Sequence, residues 1–227
     1  IDFSPTGLVS CFLRHRLGSK PPLAGSTERN TVQIADPELP PKSRASDRQQ
    51  IRRNEREGMA VRHVPGPDAT AAERAAFHAA YTQTMHRTEA APRYFFAPEY
   101  FETILASRLT WLFMAETAAG ELAATSIATR SDGMLHYYLS GTADGHLRGA
   151  PMKNLLAAMC EFAAEQGLPL NLGGGITPGD RLEEFKRGFA NRTEALHTSE
   201  LICDRAAYDR LAAAHTLGGY FPAYRAP

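Results

Sequence analysis

Residues 109–141 decide the fold, and they read LTWLFMAETAAGELAATSIATRSDGMLHYYLSG. Three runs of mostly apolar or β-favouring residues lie within this stretch, at Leu109–Ala115, Glu121–Thr129 and Met134–Ser140. The connections between the runs are short, and each contains a glycine, as turns between adjacent strands often do. The stretch therefore predicts three consecutive strands that form an antiparallel meander.

The clearest helix of the sequence follows the meander, between Pro151 and Gly167. Its apolar residues recur at i, i+3, i+4, i+7 and i+11 and form one stripe. They are Met152, Leu155, Leu156, Met159 and Ala163. The short apolar run Leu168–Leu172 then predicts a strand that returns beside the meander. A meander, a long helix and a returning strand indicate a mixed α/β sheet.

The remaining elements flank this centre on both sides. Before it, the sequence predicts helices at Ser43–Glu57, from Asp68 or Thr70 to about Arg87, and at Pro98–Ser107, with a strand at Met59–Val64. After it, the sequence predicts a helix at Arg181–Phe189, a strand at Ala195–Cys203 and a helix at Asp204–Ala214.

Residues 1–42 differ from the rest because prolines and glycines interrupt them. Only two short strand-like runs fit between these residues, Leu8–Leu13 and Thr31–Ile34, and no helix does. We expect a partial N-terminal segment or the remnant of a first domain here, and a main domain over residues 43–227. Because the chain begins at Ile1 rather than at Met, we also expect a fragment or a processed form.

Composition restricts the function classes. The 227 residues include 25 basic and 25 acidic side chains, so the formal net charge is zero. Such a charge balance is not typical of proteins that coat DNA or an anionic membrane. No apolar run of the sequence approaches the roughly 20 residues of a membrane span. Three distant cysteines without a CxxC pair favour the reducing cytoplasm. Without HxxxH, HExxH or GxSxG spacings, we expect neither a bound metal ion nor a serine hydrolase.

The stretch Asn171–Phe189, NLGGGITPGDRLEEFKRGF, carries the strongest candidate chemistry. Its consecutive glycines are Gly173, Gly174 and Gly175. Glycines permit positive φ and a close approach of substrate to backbone. Lys186 follows Phe185 in the next predicted helix, and a lysine held among aromatic rings can stabilise an oxyanion during acyl transfer. The alternative is a flexible turn followed by a solvated lysine.

Other polar residues are candidates on weaker signals. Asp180 is predicted to cap the helix that carries Lys186, and the alternative is a contact with Lys186 or with an amine substrate. Strand alternation predicts that His136 and Tyr138 share one face of the third meander strand and Tyr137 the other. We expect this end of the strand to border a cleft, with His136 and Tyr138 as candidate substrate contacts. Which of the two tyrosines binds substrate and which packs in the core stays open.

The first predicted helix carries a basic face. Arg48 and Arg52 lie four residues apart, and Arg44 and Arg56 extend the same row. The row is either a phosphate track, for tRNA or a diphosphate, or a solvated helix face. Arg148, in the loop before the long helix, is either a further phosphate ligand or a solvated side chain.

Several segments together resemble one family. The Asn-Leu-Gly-Gly-Gly loop and the Leu-Glu-Glu-Phe-Lys-Arg-Gly-Phe helix resemble the loop and "FKxxF" helix of the Fem family, the aminoacyl-tRNA-dependent peptidyltransferases that build peptidoglycan cross-bridges. Ser46–Gly58, Tyr94–Phe101 and His136–Gly141 resemble further family segments, and the resemblance spans Arg44 to Leu211. The predicted element order is that of the GNAT acyltransferase fold, to which this family belongs.

The resemblance implies a function and roles for two residues. Lys186 would polarise the ester carbonyl that joins an amino acid to tRNA, and the carbonyl of Phe185 would position the attacking amine. The donor would be the acceptor end of aminoacyl-tRNA, the acceptor a free amine of a small peptide-like or cell-wall-precursor-like molecule, with no tightly bound cofactor. Typical members carry two GNAT-like domains, and here the first is missing or reduced to residues 1–42, which leaves the acceptor open.

Two alternative functions stay open. One is an N-acyltransferase that uses acetyl-CoA, since GNAT enzymes hold the CoA pyrophosphate on a Q/RxxGxG/A loop. The equivalent stretch Gly145–Pro151 contains Arg148 and Gly149 without that spacing, and Pro151 lacks an N–H. The other is a GNAT-like module that has lost its chemistry and only binds a partner. The intact FKxxF motif argues against that one.

Overall fold

The computed structural model describes residues 3–18, 23, 25–213, 215 and 219–226. It contains two compact units, one made of Ile1–Thr31 with Glu194–Pro227 and one made of Val32–Thr193. The domain boundary predicted between residues 42 and 43 stays a prediction. Ala214, the predicted end of the last helix, lies outside the described residues.

Every helix and strand that the sequence predicts is present, with ends that differ by a few residues. In chain order they are β1 (Ser10–Arg14), β2 (Thr27–Ala35), α1 (Ala45–Arg56), β3 (Ala60–Pro65), α2 (Ala71–Arg87), α3 (Pro98–Leu105), β4 (Thr110–Glu116), β5 (Leu122–Ser131), β6 (Met134–Thr142), α4 (Met152–Glu165), β7 (Leu170–Gly173), α5 (Arg181–Arg187), β8 (Arg192–Ile202) and α6 (Arg205–Ala212).

The sheet of the larger unit has the strand order β2-β7-β6-β5-β4-β3. Its neighbouring strands are antiparallel except β6 and β7, which are parallel and are joined by α4. A parallel pair needs such a crossover, because a tight turn can join only antiparallel strands. The predicted mixed α/β sheet, with its meander, crossover helix and returning strand, is confirmed.

Helices pack on both faces of this sheet. One buried cluster joins β4 through Phe113 to the apolar stripe of α4, including Leu155, Leu156 and Met159. The next residue along β4, Met114, belongs to the cluster on the opposite face, with Phe77 of α2 and Phe101 of α3. Each fully buried side chain of this size contributes about 1.5–3 kcal/mol to folding. The two clusters therefore hold the sheet between two helical layers.

Helix α2 begins at a capping box and then crosses β6 at close range. Thr70 Oγ1 accepts a hydrogen bond from the N–H of Glu73, whose carboxylate accepts one from the N–H of Thr70. At the crossing, a Cβ on Gly141 would lie 2.4 Å from the carbonyl carbon of Ala80 and from the nitrogen of Tyr81. The backbone of α2 therefore packs directly on the backbone of β6.

β6 and β7 diverge after a short paired stretch. They pair at Leu135 with Leu170 and at His136 with Asn171. Beyond that point β6 continues to Thr142, whereas β7 ends at Gly173. The second half of β6 therefore extends past β7, and the chain that leaves β7 is free to form a loop.

The smaller unit is built on one strand pair. β1 and β8 are antiparallel, from Ser10 opposite Ile202 to Arg14 opposite Thr198. Helix α6 follows, capped by the carboxylate of Asp204, which accepts the N–H of Ala207. Its Tyr208 packs against the rings of Phe221 and Tyr224. None of the predicted site residues lies in this unit.

Candidate active site

Lys186 lies in α5, after β7 and the loop that follows it. Its side chain is 7% exposed, and its Nζ donates a hydrogen bond to the carbonyl oxygen of Gly174 at 2.7 Å. The ring centroid of Tyr137, on β6, is 5.8 Å from the same nitrogen. The lysine is therefore buried and held between the glycine loop and β6, and it is not a solvated surface cation.

Burial changes the electrostatics of Lys186. Its pKa falls from 10.5 to about 8 because the charged ammonium loses hydration away from water. The negative charge of Asp180 opposes this fall. Near neutral pH the ammonium form predominates, and a poorly hydrated cation interacts more strongly with a developing negative charge than one in water does.

The glycine run shapes the surroundings of Lys186. Gly173 has a φ of 73°, and a Cβ on it would lie 3.3 Å from Lys186 Nζ. A Cβ on Gly175 would lie 2.4 Å from Oδ1 of Asp180. Gly174, between them, presents its carbonyl to Lys186. The loop therefore needs Gly173 and Gly175 in order to pack Lys186 and Asp180, while the close approach of a substrate stays a prediction.

Asp180 organises the loop between β7 and α5. One carboxylate oxygen accepts the N–H of Glu183 at 2.8 Å, so the predicted helix cap is confirmed. The other oxygen accepts the N–H groups of Ile176 and Thr177 at 2.7 and 3.0 Å. These backbone hydrogen bonds, led by the one from Glu183, lower the pKa of Asp180. The carboxylate is therefore ionised, and a contact with an amine substrate stays a prediction.

A second carboxylate that sequence reasoning missed supports the same loop. Glu183 is 8% exposed and accepts the N–H of Gly179 at 2.7 Å. This bond is the main cause that lowers the pKa of Glu183, followed by the hydrogen bond from Arg187 at 2.6 Å. No sequence signal marked it, because a glutamate in the first turn of a short helix is common on protein surfaces.

His136 joins the glycine loop through Asn171. The Oδ1 of Asn171 accepts the N–H of Gly173 at 2.8 Å, so its Nδ2 is the group that faces His136 Nδ1 at 3.1 Å. Nδ1 of His136 must therefore accept, and its Nε2 carries the proton and lies 3.3 Å from the carbonyl of Ser131. In this arrangement His136 supports the loop, and its direct contact with substrate stays a prediction.

A β-bulge separates the roles of two neighbouring tyrosines. Ile127 of β5 pairs with Leu139 and Ala128 pairs with Tyr137, which leaves Tyr138 as the extra residue. Tyr137 packs with the cluster on the α4 face, whereas Tyr138 contacts Tyr100 of the cluster on the opposite face, so the opposite faces predicted for the two tyrosines are confirmed. Tyr138 is 44% exposed and shares a hydroxyl hydrogen bond with Tyr100 of α3, whereas the ring of Tyr137 is the one near Lys186. Of the two tyrosines that the sequence offered, Tyr137 is therefore the one beside Lys186, and the substrate contact of Tyr138 stays a prediction.

Helix α1 fixes the position of α5. Asp47 is 5% exposed and forms an ion pair with Lys153 of α4 at 2.8 Å. Its Oδ2 lies against Gly188, where an added Cβ would be only 2.9 Å away. Arg44 donates a hydrogen bond to the carbonyl of Glu184 at 2.8 Å. The start of α1 therefore contacts the chain on both sides of Lys186, at Glu184 and at Gly188. The basic composition of α1 did not indicate these contacts.

The three predicted phosphate-binding arginines lie apart from Lys186. Arg48 and Arg52 are exposed on α1 and line a cavity beside Phe189. Arg148 is exposed in a 3-10 turn, Asp144–Gly149, that precedes α4. Across the described ranges, no hydrogen bond or ion pair joins any of the three to Lys186. Their phosphate contacts stay predictions.

Two further features of the described residues bear on the class of protein. In the part of the chain that the structure describes, no three His, Cys, Asp or Glu side chains are grouped to hold a metal ion. Among those same residues, no helix combines the length and the apolar character needed to cross a lipid bilayer.

The sequence matches one family model. Residues 41–187, more than half of the chain, match the model described as "Acetyltransferase (GNAT) domain". No curated protein sequence matches the chain.

Solved structures share the fold at low sequence identity. FemX is 12% identical with a TM-score of 0.64, over 92% of this chain and 69% of its own. L-PGS from Bacillus licheniformis is 15% identical with a TM-score of 0.60, over 89% of this chain and 64% of its own. A conserved protein of unknown function from Bacteroides thetaiotaomicron is 12% identical with a TM-score of 0.57, over 88% and 64%. The chain spans less than two thirds of the last two, and these likenesses show the fold alone.

Proposed function

Because this chain belongs to the GNAT acetyltransferase domain family, we propose that it forms amide bonds by moving an aminoacyl group from aminoacyl-tRNA to the free amine of a peptide-like acceptor. The observation that carries the proposal is the buried Lys186, whose ammonium is held by the carbonyl of Gly174 beside the end of β7. A fixed, poorly hydrated cation is suited to stabilising the negative charge that develops in acyl transfer. The FKxxF helix that contains it resembles that of the Fem enzymes.

The reaction needs no covalent enzyme intermediate. The neutral amine attacks the ester carbonyl carbon, and the carbonyl oxygen becomes an oxyanion that accepts a hydrogen bond from the Lys186 ammonium. The tetrahedral intermediate then breaks its ester C–O bond and leaves the new amide. The proton lost by the amine passes to the departing ribose oxygen of the tRNA. Holding donor and acceptor in line supplies much of the rate.

Phe185 orients the amine through its backbone carbonyl. That oxygen accepts the N–H of Gly188 at 3.1 Å, and a carbonyl oxygen has two lone pairs, so it can accept a second N–H from the substrate. The ring of Phe185 packs edge-on against Phe189 with centroids 5.7 Å apart, which fixes the turn. His136 and Tyr138 are the proposed contacts for the rest of the acceptor.

The loop before α4 supports aminoacyl-tRNA over acetyl-CoA as donor. A CoA pyrophosphate binds to free backbone N–H groups at the start of this helix in GNAT enzymes. Here the N–H groups of His146 and Ala150 donate to the carbonyls of Ala143 and Leu147, both at 3.0 Å, and Pro151 has no N–H. An N-acyltransferase that uses acetyl-CoA, with Arg148 at its phosphates, is the second candidate function.

A binding comparison at low salt tests the donor. We expect the purified chain to retain one charged tRNA from a pool carrying labelled amino acids, and to release it as salt rises, because phosphate contacts dominate such binding. The same pool stripped of its amino acids is the control. Tight binding of acetyl-CoA with unselective tRNA binding would favour the N-acyltransferase, and binding of neither would favour an inactive module.

The pH dependence of the reaction tests the protonation state of Lys186. Only its ammonium form donates to the oxyanion, and its pKa is about 8, so we expect kcat/KM to fall as pH rises through about 8. Asp180→Asn should move this fall to lower pH, because the charge of Asp180 raises the pKa of Lys186. Initial rates must be corrected for hydrolysis of the donor ester. A rate that instead climbs through pH 8 in both proteins would contradict the assigned role.

A further inference from the structure

A cavity of about 500 Å³ lies in the larger unit and shares Phe189 with the turn that carries Lys186. It is lined by α1, α4, the segment that follows β2, and the residues after α5, and it is open to solvent on one side. Lys186 and the three glycines do not line it. Its volume falls within the range of ligand pockets, roughly 300–1,000 Å³. The cavity is therefore large enough to be a site of its own.

The floor of the cavity is apolar. Ile51 of α1, Ala157 and Ala164 of α4, and Phe189 face it. Cys160 also lines it, and burial raises the pKa of that thiol to about 12, so the cysteine is neutral near pH 7 and adds to the apolar surface. Such a surface favours an aliphatic or aromatic group.

Positive charge is concentrated at one end. Lys42, Arg48 and Arg52 line this cavity and not the smaller one, of about 300 Å³, beside it. Arg48 donates to the carbonyl of Ser43. Within the described ranges, neither Lys42 nor Arg52 forms an ion pair. A guanidinium without an ion-pair partner, such as that of Arg52, binds phosphate and carboxylate well, because its donors match the geometry of those anions.

The acidic residues of the cavity indicate at which end an anionic group of a ligand would bind. Asp36 is neutralised by Arg192 at 3.0 Å. Glu55 and Glu161 line both cavities and therefore lie at the boundary between them. They repel an anion from that end, so the anionic group of a ligand is directed towards Arg48 and Arg52.

The wall beside the basic end is held in place before any ligand binds. Asn191 accepts the N–H of Asp36 at 2.8 Å and donates to the carbonyl of Asp36 at 2.9 Å. The same amide nitrogen lies 3.3 Å from the carbonyl of Leu39 and 3.2 Å from that of Pro40. A wall fixed in this way lowers the entropy lost on binding.

We propose that this cavity is a second ligand site, which binds a small molecule with an apolar body and one anionic end. The body lies on Phe189 and the α4 alanines, and the anion meets Arg48 and Arg52. The proposal gives these two arginines a partner other than a tRNA backbone. It does not depend on the identity of the donor at Lys186.

Two fluorescent dyes with similar bodies test the proposal. Anilinonaphthalene sulfonate carries an anion, and phenylnaphthylamine does not. We expect Arg48→Ala with Arg52→Ala to weaken binding of the sulfonate about tenfold, the scale for two charged hydrogen bonds at a partly exposed site, and to leave the neutral dye unchanged. Ala157→Trp fills the floor and should abolish binding of both. Arg56→Ala, on the same helix outside the cavity lining, is the matched control.

The outcomes separate this site from the reaction at Lys186. Lys186→Met should bind both dyes as tightly as the unaltered chain does. Dye binding therefore tests the cavity even if the donor proposed for Lys186 is wrong. Competition by hexanoate, hexyl phosphate or adenosine monophosphate then identifies the anion and body that fit. Equal sulfonate binding by the double variant and by Arg56→Ala, in proteins that unfold at the same temperature, would overturn the proposal. So would a failure of all three competitors to displace the dye.

Discussion

Lys186→Met is expected to lower kcat by about a hundredfold or more, the scale for losing one oxyanion donor. Methionine fills a similar volume without the ammonium, so the glycine loop can keep its shape. The donor and acceptor still bind, and the loss therefore falls on kcat more than on KM. Single-turnover kinetics with saturating charged tRNA would measure it directly.

The same substitution should raise stability near pH 7. Lys186 has a pKa of about 8 in the folded chain against 10.5 when free, so the unfolded chain binds more protons between these values. Folding stability of the unaltered protein therefore rises with pH across that window and is reduced below it. Removing the buried ammonium is expected to gain about 1–3 kcal/mol at pH 7, and the gain should shrink towards pH 10.

The exposed cation Arg181, in the first turn of the same helix, supplies the control for both effects. Arg181→Met removes a positive charge from α5 without touching the buried pocket. We expect nearly normal kcat and a stability change within about 0.5 kcal/mol, as for most surface substitutions. If Lys186→Met turned over like Arg181→Met, the catalytic role of Lys186 would be wrong. If it were instead the less stable protein, the lysine would be structural.

Gly141→Ala is expected to destabilise the larger unit by about 3 kcal/mol, at the upper end of the usual cost of overpacking. The added methyl would meet backbone atoms of Ala80 and Tyr81 at 2.4 Å, and backbone cannot rotate away as a side chain can. Helix α2 must then shift from β6 and loosen the cluster around Phe77. Denaturant unfolding of the two proteins measures the difference.

Gly145→Ala is the matched control for that substitution. A Cβ on Gly145 would have no atom within 4 Å, so we expect a change within about 0.5 kcal/mol. Equal unfolding midpoints for the two variants would show that α2 and β6 do not pack as closely as described. A loss confined to Gly141→Ala would confirm the direct backbone contact.

The sequence was sufficient for the architecture because each central element has a strong local pattern. The apolar stripe from Met152 to Ala163 follows the helical period, and the three runs of residues 109–141 are rich in apolar and β-favouring residues between short turns. Periodicity cannot, however, show a β-bulge. The sequence therefore left open which of the two adjacent tyrosines lies near Lys186, and the structure shows that it is Tyr137, next to the extra residue Tyr138.

Only part of the candidate site could be predicted from the sequence, because its supporting contacts join segments that are far apart in the chain. The motif indicated Lys186 and the glycines, but contacts that hold the helix around the lysine come from distant segments. Asp47 reaches Gly188, and Gln33 of β2 lies 3.5 Å from Glu183. Contacts across such separations leave no periodic trace in a single sequence, and neither residue could be linked to α5 without the structure.

The parallel pairing of β6 with β7 has a consequence for how the chain folds. The meander β4–β6 joins neighbours along the chain, and its strands can pair across short loops. The loop that holds Lys186 forms only after α4 has crossed over, and β2 reaches β7 by pairing Gln33 with Gly173. Pairings of such long separation require the largest loop-closure entropy and tend to form late. Transfer activity should therefore recover after the helical signal in refolding, as the last property that the chain acquires.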